Sequence, residues 1–253
     1  MTKKIFVPLS NRAKEIILGS ILGDGSLKIH KPYRNARFSF RHSAVQKSYF
    51  DWKKNQLKEI SSENCVWLQK ADEKSFSNQH KFRYQSLAIE SLTELFDLTH
   101  KRGRLKIRRK WLNMLTPLSL AVWWMDDGSI ISNGRKGVIC TDGFDKEAVE
   151  ILVKYLQKVW GVKFHLAPVK KPRGGKKEIY FRLWLRSTEE LKKFLRIILP
   201  HIQVEQMLYK VILLYKDNQL QERWISEIVK NSNFSKETIE KYVSLKKNKW
   251  KTF

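Results

Sequence analysis

Two related α+β halves, each running helix, two strands, helix, two strands, helix, and then a helical tail: this is the architecture the sequence predicts. Three observations carry it. An apolar, helix-length run ending in Asp-Gly-Ser occurs twice, as Ile17-Leu18-Gly19-Ser20-Ile21-Leu22-Gly23-Asp24-Gly25-Ser26 and as Leu120-Ala121-Val122-Trp123-Trp124-Met125-Asp126-Asp127-Gly128-Ser129. Segments that alternate apolar and polar residues follow each copy in the same order, which is strand patterning. Beyond Tyr215 the chain has no counterpart in the first half, and its apolar residues fall at helical spacing.

In the first half, Arg37-Phe38-Ser39-Phe40-Arg41 alternates and hands over to a helix expected to carry Val45, Tyr49, Trp52 and Ile60 on one face. Lys81-Phe82-Arg83-Tyr84-Gln85 is the later strand, leading into a helix around Leu92, Leu95 and Phe96. The second half answers with Val138-Ile139-Cys140-Thr141, then a helix bearing Val149, Leu152, Val153, Leu156 and Trp160 that Gly161 stops. Its later strand, Tyr180 to Arg186, leads into Thr188-Glu189-Glu190-Leu191 and on to Leu199. The expected division is a first repeat over 1–100, a basic linker over 101–116, a second repeat over 117–215 and a basic helical extension over 216–253. In that extension Ser235 caps a helix with Ile239, Tyr242 and Val243 on its short apolar face, expected to dock by that face and leave its lysines free for phosphate contacts.

The 253 residues (30.1 kDa) hold 50 Lys+Arg against 25 Asp+Glu, a net charge of +25 and a sequence pI near 10.0. With 42% hydrophobic residues and 9 Trp there is apolar mass for one large or two small cores, which excludes wholesale disorder. No apolar run approaches the roughly 20 residues of a spanning helix, and Ile5 to Leu9 is too short for a signal-peptide core, so an intracellular setting is expected, organellar or microbial. Cys65 and Cys140 sit in no metal-ligand spacing, so a zinc module is excluded and both read as reduced thiols. A charge surplus of this size points to a polyanionic partner: nucleic acid first, an anionic membrane surface second.

The position of the charge favours nucleic acid. Ile179, Phe181, Leu183 and Leu185 point to one side of a strand and Tyr180, Arg182, Trp184 and Arg186 to the other. Arg37, Ser39 and Arg41, with Lys81, Arg83 and Gln85, repeat the arrangement in the first half. Arg, Lys, Gln and Ser on an antiparallel ribbon reach phosphates and major-groove base edges. The turn from Lys170 to Lys177, with Lys170, Lys171, Arg173 and Lys176, extends such a ribbon, and Arg135 joins the same set. Membrane binding would instead call for a basic amphipathic helix with an exposed apolar face, and the amphipathic helices here are accounted for as core.

Asp24 and Asp127 turn a binder into an enzyme candidate. Each closes an apolar helix and is followed by Gly, expected to turn the chain sharply out of the helix. If the two helices pair about a pseudo-two-fold axis, Gly19, Gly23 and Ala121 permit close approach and the carboxylates meet at one end. A carboxylate at a helix C-terminus faces the unfavourable end of the dipole, so two of them call for a bound cation. Hard oxygen ligands suit Mg²⁺ or Ca²⁺, with the backbone carbonyls of Gly23 and Asp126 completing the shell. Such ions can activate water and stabilise the leaving oxygen in phosphodiester hydrolysis, and Ca²⁺ could bind without supporting that cleavage.

These paired phrases resemble the two motifs of the LAGLIDADG homing endonucleases, over roughly residues 13 to 212. Leu115-Thr116-Pro117-Leu118-Ser119-Leu120-Ala121 running into Trp124-Met125-Asp126-Asp127-Gly128, with Gln206-Met207-Leu208-Tyr209-Lys210, resembles the monomeric intron-encoded branch in particular. Trp123 and Trp124 depart from the small residues many members place at the helix interface. The resemblance implies two αββαββα repeats whose antiparallel sheets form a saddle on double-stranded DNA, and a magnesium-dependent, site-specific double-strand endonuclease acting as a monomer. It assigns Asp24 and Asp127 as metal-binding carboxylates and Lys210 as a basic residue near the scissile phosphate. Its first-half partner is Lys106 by the Lys-Ile step or Arg104 by an ungapped count. An intron RNA maturase, with intron RNA as partner, and a non-cleaving DNA-binding protein are the alternatives on the same fold.

Overall fold

A computed structural model describes residues 8–71, 79–131, 134–173 and 176–249. It divides into two compact units, Met1–Ser119 and Leu120–Phe253. The side chains of Arg173 and Lys176, placed above on the basic turn, lie outside the described residues.

The first unit opens with α1 (Asn11–Leu22), started by Ser10, whose Oγ accepts from the Ala13 amide at 3.1 Å. From Ile16 to Leu22 every residue of α1 is buried, as a run whose sole polar side chain is Ser20 allows. Strands β1 (Gly25–Lys28) and β2 (Arg37–Ser43), helix α2 (Lys47–Gln56), strands β3 (Val66–Gln69) and β4 (Lys81–Gln85) and helix α3 (Glu90–Thr99) follow. The strands form an antiparallel sheet in the order β1-β2-β4-β3, with Gly25 opposite Phe40 and Phe40 opposite Tyr84. Phe38, Phe40 and Tyr84 face the buried side, where Phe40 and Tyr84 stack at 4.9 Å, and α2 and α3 close it with Tyr49, Phe50, Leu92 and Leu95.

Val45 does not join that core. Strand β2 runs on to Ser43, so α2 starts only at Lys47 and Val45 is left in a 3₁₀ turn, 64% exposed. The inward face of α2 is Tyr49, Phe50 and Lys53 instead. Lys53 is fully buried, its ammonium 5.0 Å from the Phe40 ring centre and 4.8 Å from that of Tyr49. Cation–π attraction offsets part of the cost of burying that charge.

The segment read as a basic linker is ordered. Strands β5 (His100–Lys101) and β6 (Arg104–Leu105) form a hairpin on the two-residue turn Arg102-Gly103, both at positive φ (52° and 74°). Helix α4 (Arg109–Leu112) then buries Trp111 and Leu112, and the Trp111 indole donates to the Lys106 carbonyl at 2.8 Å.

Helix α5 (Pro117–Asp127) leads into the second unit, which repeats the order as β7 (Gly128–Ile131), β8 (Lys136–Ile139), α6 (Lys146–Trp160), β9 (His165–Arg173), β10 (Lys176–Leu185) and α7 (Thr188–Ile198). Its sheet is β7-β8-β10-β9, the same order as in the first unit, with Gly128 opposite Ile139 and Ile139 opposite Leu183. The repeated phrase in sequence is therefore a repeated fold. Asp145 caps the start of α6 and Gly161, at φ 67°, ends it. Leu183 and Leu185 are buried as expected, while Ile179 is 56% exposed because β10 outruns the core.

The glycine after each acid has a different reason from the expected one. Among the described residues positive φ occurs at Arg102, Gly103, Gly134 and Gly161, not at Gly25 or Gly128. What requires glycine is space. A Cβ at Gly128 would lie 2.3 Å from the Trp124 ring and 2.6 Å from its carbonyl oxygen, and one at Gly25 would lie 2.7 Å from the Ser20 side chain. The strand leaves the helix so closely that it brushes the last turn.

Helices α8 (Asn218–Asn231) and α9 (Lys236–Lys249) complete the second unit, capped by Asp217 and Ser235. Ile239 and Val243 are buried, as their spacing predicts. The lysines of α9 are not all free, because Lys246 is 8% exposed. No helix of the described residues is long and apolar enough to cross a membrane.

Candidate nucleic-acid interface and acidic helix ends

In the first unit the outward row of β2 is Arg37, Ser39 and Arg41, and that of β4 is Lys81, Arg83 and Gln85, because residues two apart share a face. Ser39, Arg41, Arg83 and Gln85 line one concavity together with Ser26, Lys28, His30 and Trp67, and Asp24 is part of the same lining. Arg41 stands directly opposite Arg83, an arrangement of like charges that costs stability in an antiparallel pair. Arg37 is tethered differently: it donates to Gln85 Oε1 at 3.1 Å and stacks 3.9 Å from the Tyr33 ring centre. Lys81 sits half-buried at the far end of β4 opposite Ser43 and Gln69, outside that concavity.

Asp24 follows the end of α1, with its side chain 43% exposed. Nδ1 of the buried His42 lies 3.5 Å from Asp24 Oδ2. Sequence reasoning missed His42, although the signal was there: it continues the inward row Phe38, Phe40 on β2 and puts a titratable ring on the buried face beside the acid.

In the second unit Asp127 is the last residue of α5, half-buried beside Asp126. The Asp127 carbonyl accepts from the Cys140 amide at 3.1 Å, which fixes the helix end to β8. Lys210, on a 3₁₀ segment Glu205–Lys210, is itself buried, and its ammonium donates to three carbonyls of the last turn of α5: Trp124 at 3.5 Å, Met125 at 2.5 Å and Asp126 at 3.1 Å. A cation on the orphan carbonyls of a helix C-terminus satisfies them and opposes the negative end of the dipole. The Asp126 carbonyl, read as a metal ligand, thus already receives a lysine proton. Lys106 and Arg104 are exposed on the hairpin segment of the first unit.

The outward face of β10 differs from its counterpart. Arg182, read as a DNA contact, is gripped by Asp142 through paired bonds of 2.6 Å from Nε and NH2. Lys171 adds a 2.8 Å bond to the same carboxylate. The Arg182 bonds, with Lys171 beside them, hold the Asp142 carboxyl down at about 2, and the carboxylate in turn raises the Arg182 pKa. Burial pushes the nearby Cys140 thiol up. Tyr180 donates to Glu178, Trp184 is half-buried opposite Val138 and His165, and Lys170, Arg135 and Arg186 are exposed, Arg186 lying just past the end of β10. Asp142 was invisible from sequence because it meets Arg182 across 40 residues of chain.

The profile of the LAGLIDADG DNA endonuclease family matches residues 14–194. Over 218 residues the chain is 30% identical to the protein named RecA of Mycobacterium gastri, covering 81% of this chain and 48% of that protein. It is 24% identical over 212 residues to the cytochrome b mRNA maturase bI2 of Saccharomyces cerevisiae, covering 81% of this chain and 48% of that one. The chain thus spans about half the length of these curated relatives. Among solved structures it resembles the homing endonuclease I-WcaI bound to its DNA recognition sequence, with a TM-score of 0.69 at 24% identity over 84% of this chain and 91% of that one, a likeness of fold.

Proposed function

The chain belongs to the LAGLIDADG DNA endonuclease family, and from that premise we propose that it is a monomeric, site-specific homing endonuclease that hydrolyses one phosphodiester in each strand of a long duplex target. The observation that carries the reading is the equivalent placement of two carboxylates. Asp24 directly precedes Gly25, which pairs with β2, and Asp127 directly precedes Gly128, which pairs with β8, so each unit ends an apolar helix in an acid beside the first strand of a basic sheet. Carboxylates in that position are hard donors that fit a divalent cation such as Mg²⁺. When bound, that ion supplies acid assistance to water attack and to the departing sugar oxygen.

The remaining work belongs to side chains. Arg41, Arg83 and Gln85 grip phosphate and base edges on the first sheet, and the opposed guanidiniums Arg41 and Arg83 gain most from an anion between them. On the second sheet Asp142 holds Arg182 in one orientation, which suits a directed contact with a base edge. Lys210 secures the helix end that carries Asp127.

Asp24→Asn and Asp127→Asn test the proposal. A plasmid library with randomised sites, incubated in Mg²⁺, yields the cleaved sequence, and each variant is then assayed on it for binding and cleavage. Each variant is expected to lose double-strand cleavage and keep specific binding; full cleavage by either refutes it. A second reading, an intron RNA maturase, is favoured by the similarity to bI2. Failure of the unaltered chain to cut any member of the library, with tight binding to structured intron RNA, would support that reading instead.

A further inference from the structure

The stretch Tyr209–Tyr215 belongs to no strand or α-helix, and from Lys210 onward every residue of it is buried. Such backbone must find hydrogen-bond partners elsewhere. It finds them in side chains. The Lys246 ammonium on α9 donates to the Tyr209 and Ile212 carbonyls, both at 2.6 Å. The Trp124 indole on α5 donates to the Lys210 carbonyl at 2.9 Å, the Trp224 indole on α8 to that of Val211 at 3.1 Å, and the Gln221 amide on α8 to that of Leu213 at 3.1 Å. Consecutive carbonyls from 209 to 213 are thus held by side chains of three helices.

Lys210 is the second residue of this strip and is bound to α5 twice over: its ammonium takes the carbonyls of the last helical turn while its own carbonyl takes the Trp124 indole. We infer that α9 is a positioning element for the acidic end of α5, with Lys246 bracketing Lys210 at Tyr209 and Ile212 and so fixing the height at which Lys210 holds the Asp126–Asp127 turn. A lysine buried this way is expensive. Burial draws its pKa down to about 7, and apolar docking alone would be better served by Leu or Met at this position. The two bonds it makes are to the carbonyls one residue before and two residues after Lys210, and a neutral amine still has the protons to make both. The lysines of α9 therefore have at least one member whose work is internal and not directed at phosphate.

The activity readout rests on the endonuclease reading, so the test has a second arm that does not. Lys246→Met in the full chain removes both bonds, and Ser244→Ala, an exposed position on the same helix, is the control. Trp224→Phe, which removes the indole's bond to Val211 and part of its buried ring volume, serves if Lys246→Met does not fold. Hydrogen exchange is followed by mass spectrometry across the chain at pH 8, and single-turnover cleavage and binding are measured on the site selected from the randomised library. Expected for Lys246→Met are faster exchange confined to residues 124–128 and 208–213, and cleavage slowed by about a hundredfold, the scale of an ångström of misplacement. Duplex affinity should stay unchanged. Unchanged exchange in those two segments, or exchange raised evenly over the whole second unit, overturns the inference. Local exchange rising as expected in a chain that cuts no DNA upholds the clasp and sinks only the endonuclease reading.

Discussion

Lys246 should give the stability of this protein an unusual dependence on pH. In the unfolded chain its amine titrates at the ordinary 10.5, and in the folded chain burial brings it to about 7. Between these values the unfolded state holds a proton that the folded state lacks. Stability linked to this group therefore rises with pH across that window, by up to ~1.4 kcal/mol per pH unit, and is flat below it, where both states are protonated. From pH 6 to pH 8.5 the gain is about 2 kcal/mol. The assay is urea unfolding of the unaltered chain and of Lys246→Met at both pH values. Groups common to the two proteins cancel in the difference, which should move by that amount in favour of the unaltered chain as pH rises. A difference that stays constant would show that the amine titrates alike in both states, and the buried, donor-only placement of Lys246 would be refuted.

Two further outcomes follow from contacts elsewhere. Gly128→Ala drives a Cβ into the ring and carbonyl of Trp124, which is fully buried and bonded to Lys210 and so cannot swing away; the expected loss in urea unfolding is about 3 kcal/mol, against no measurable change for Gly143→Ala, where the added methyl meets nothing within 4 Å. Asp142→Asn frees Arg182 from its carboxylate, so affinity for random-sequence duplex should rise and the slope of log K on log salt should steepen by about 0.9, one phosphate contact. The same change should remove a stabilisation that is present above pH 4 and lost as pH falls through about 2; a salt slope that does not move would mean Arg182 stays away from phosphate even when released.

Elements with one buried face were legible because burial imposes a period. The Val149-Leu152-Leu156 stripe, the Leu183 and Leu185 alternation and the Ile239–Val243 pair all appear in the structure as read. Val45 failed because a helix boundary was taken from an apolar residue that, with β2 running on to Ser43, falls in the 3₁₀ turn ahead of α2. At the acidic helix ends the glycines were read for an incomplete reason, since close approach of strand to helix, and not a left-handed turn, demands them. The partners of Lys210, Trp124 and Lys246 were not legible at all. They are backbone carbonyls, which every residue type carries alike, so no pattern of side chains announces them. Trp124, conspicuous as a departure from small residues, fills the space against Phe194 at 5.4 Å and supplies the donor that holds Lys210.

The clasp around Lys210 also bears on the order in which the protein becomes competent during synthesis. His42 and the strands lining the basic concavity beside Asp24 are all translated by residue 85. The second acidic turn waits for partners on α8 and α9, more than ninety residues after Asp127 itself has left the ribosome. A nascent chain therefore sets the turn that carries Asp24 early and leaves the turn that carries Asp127 unset until α9 folds back.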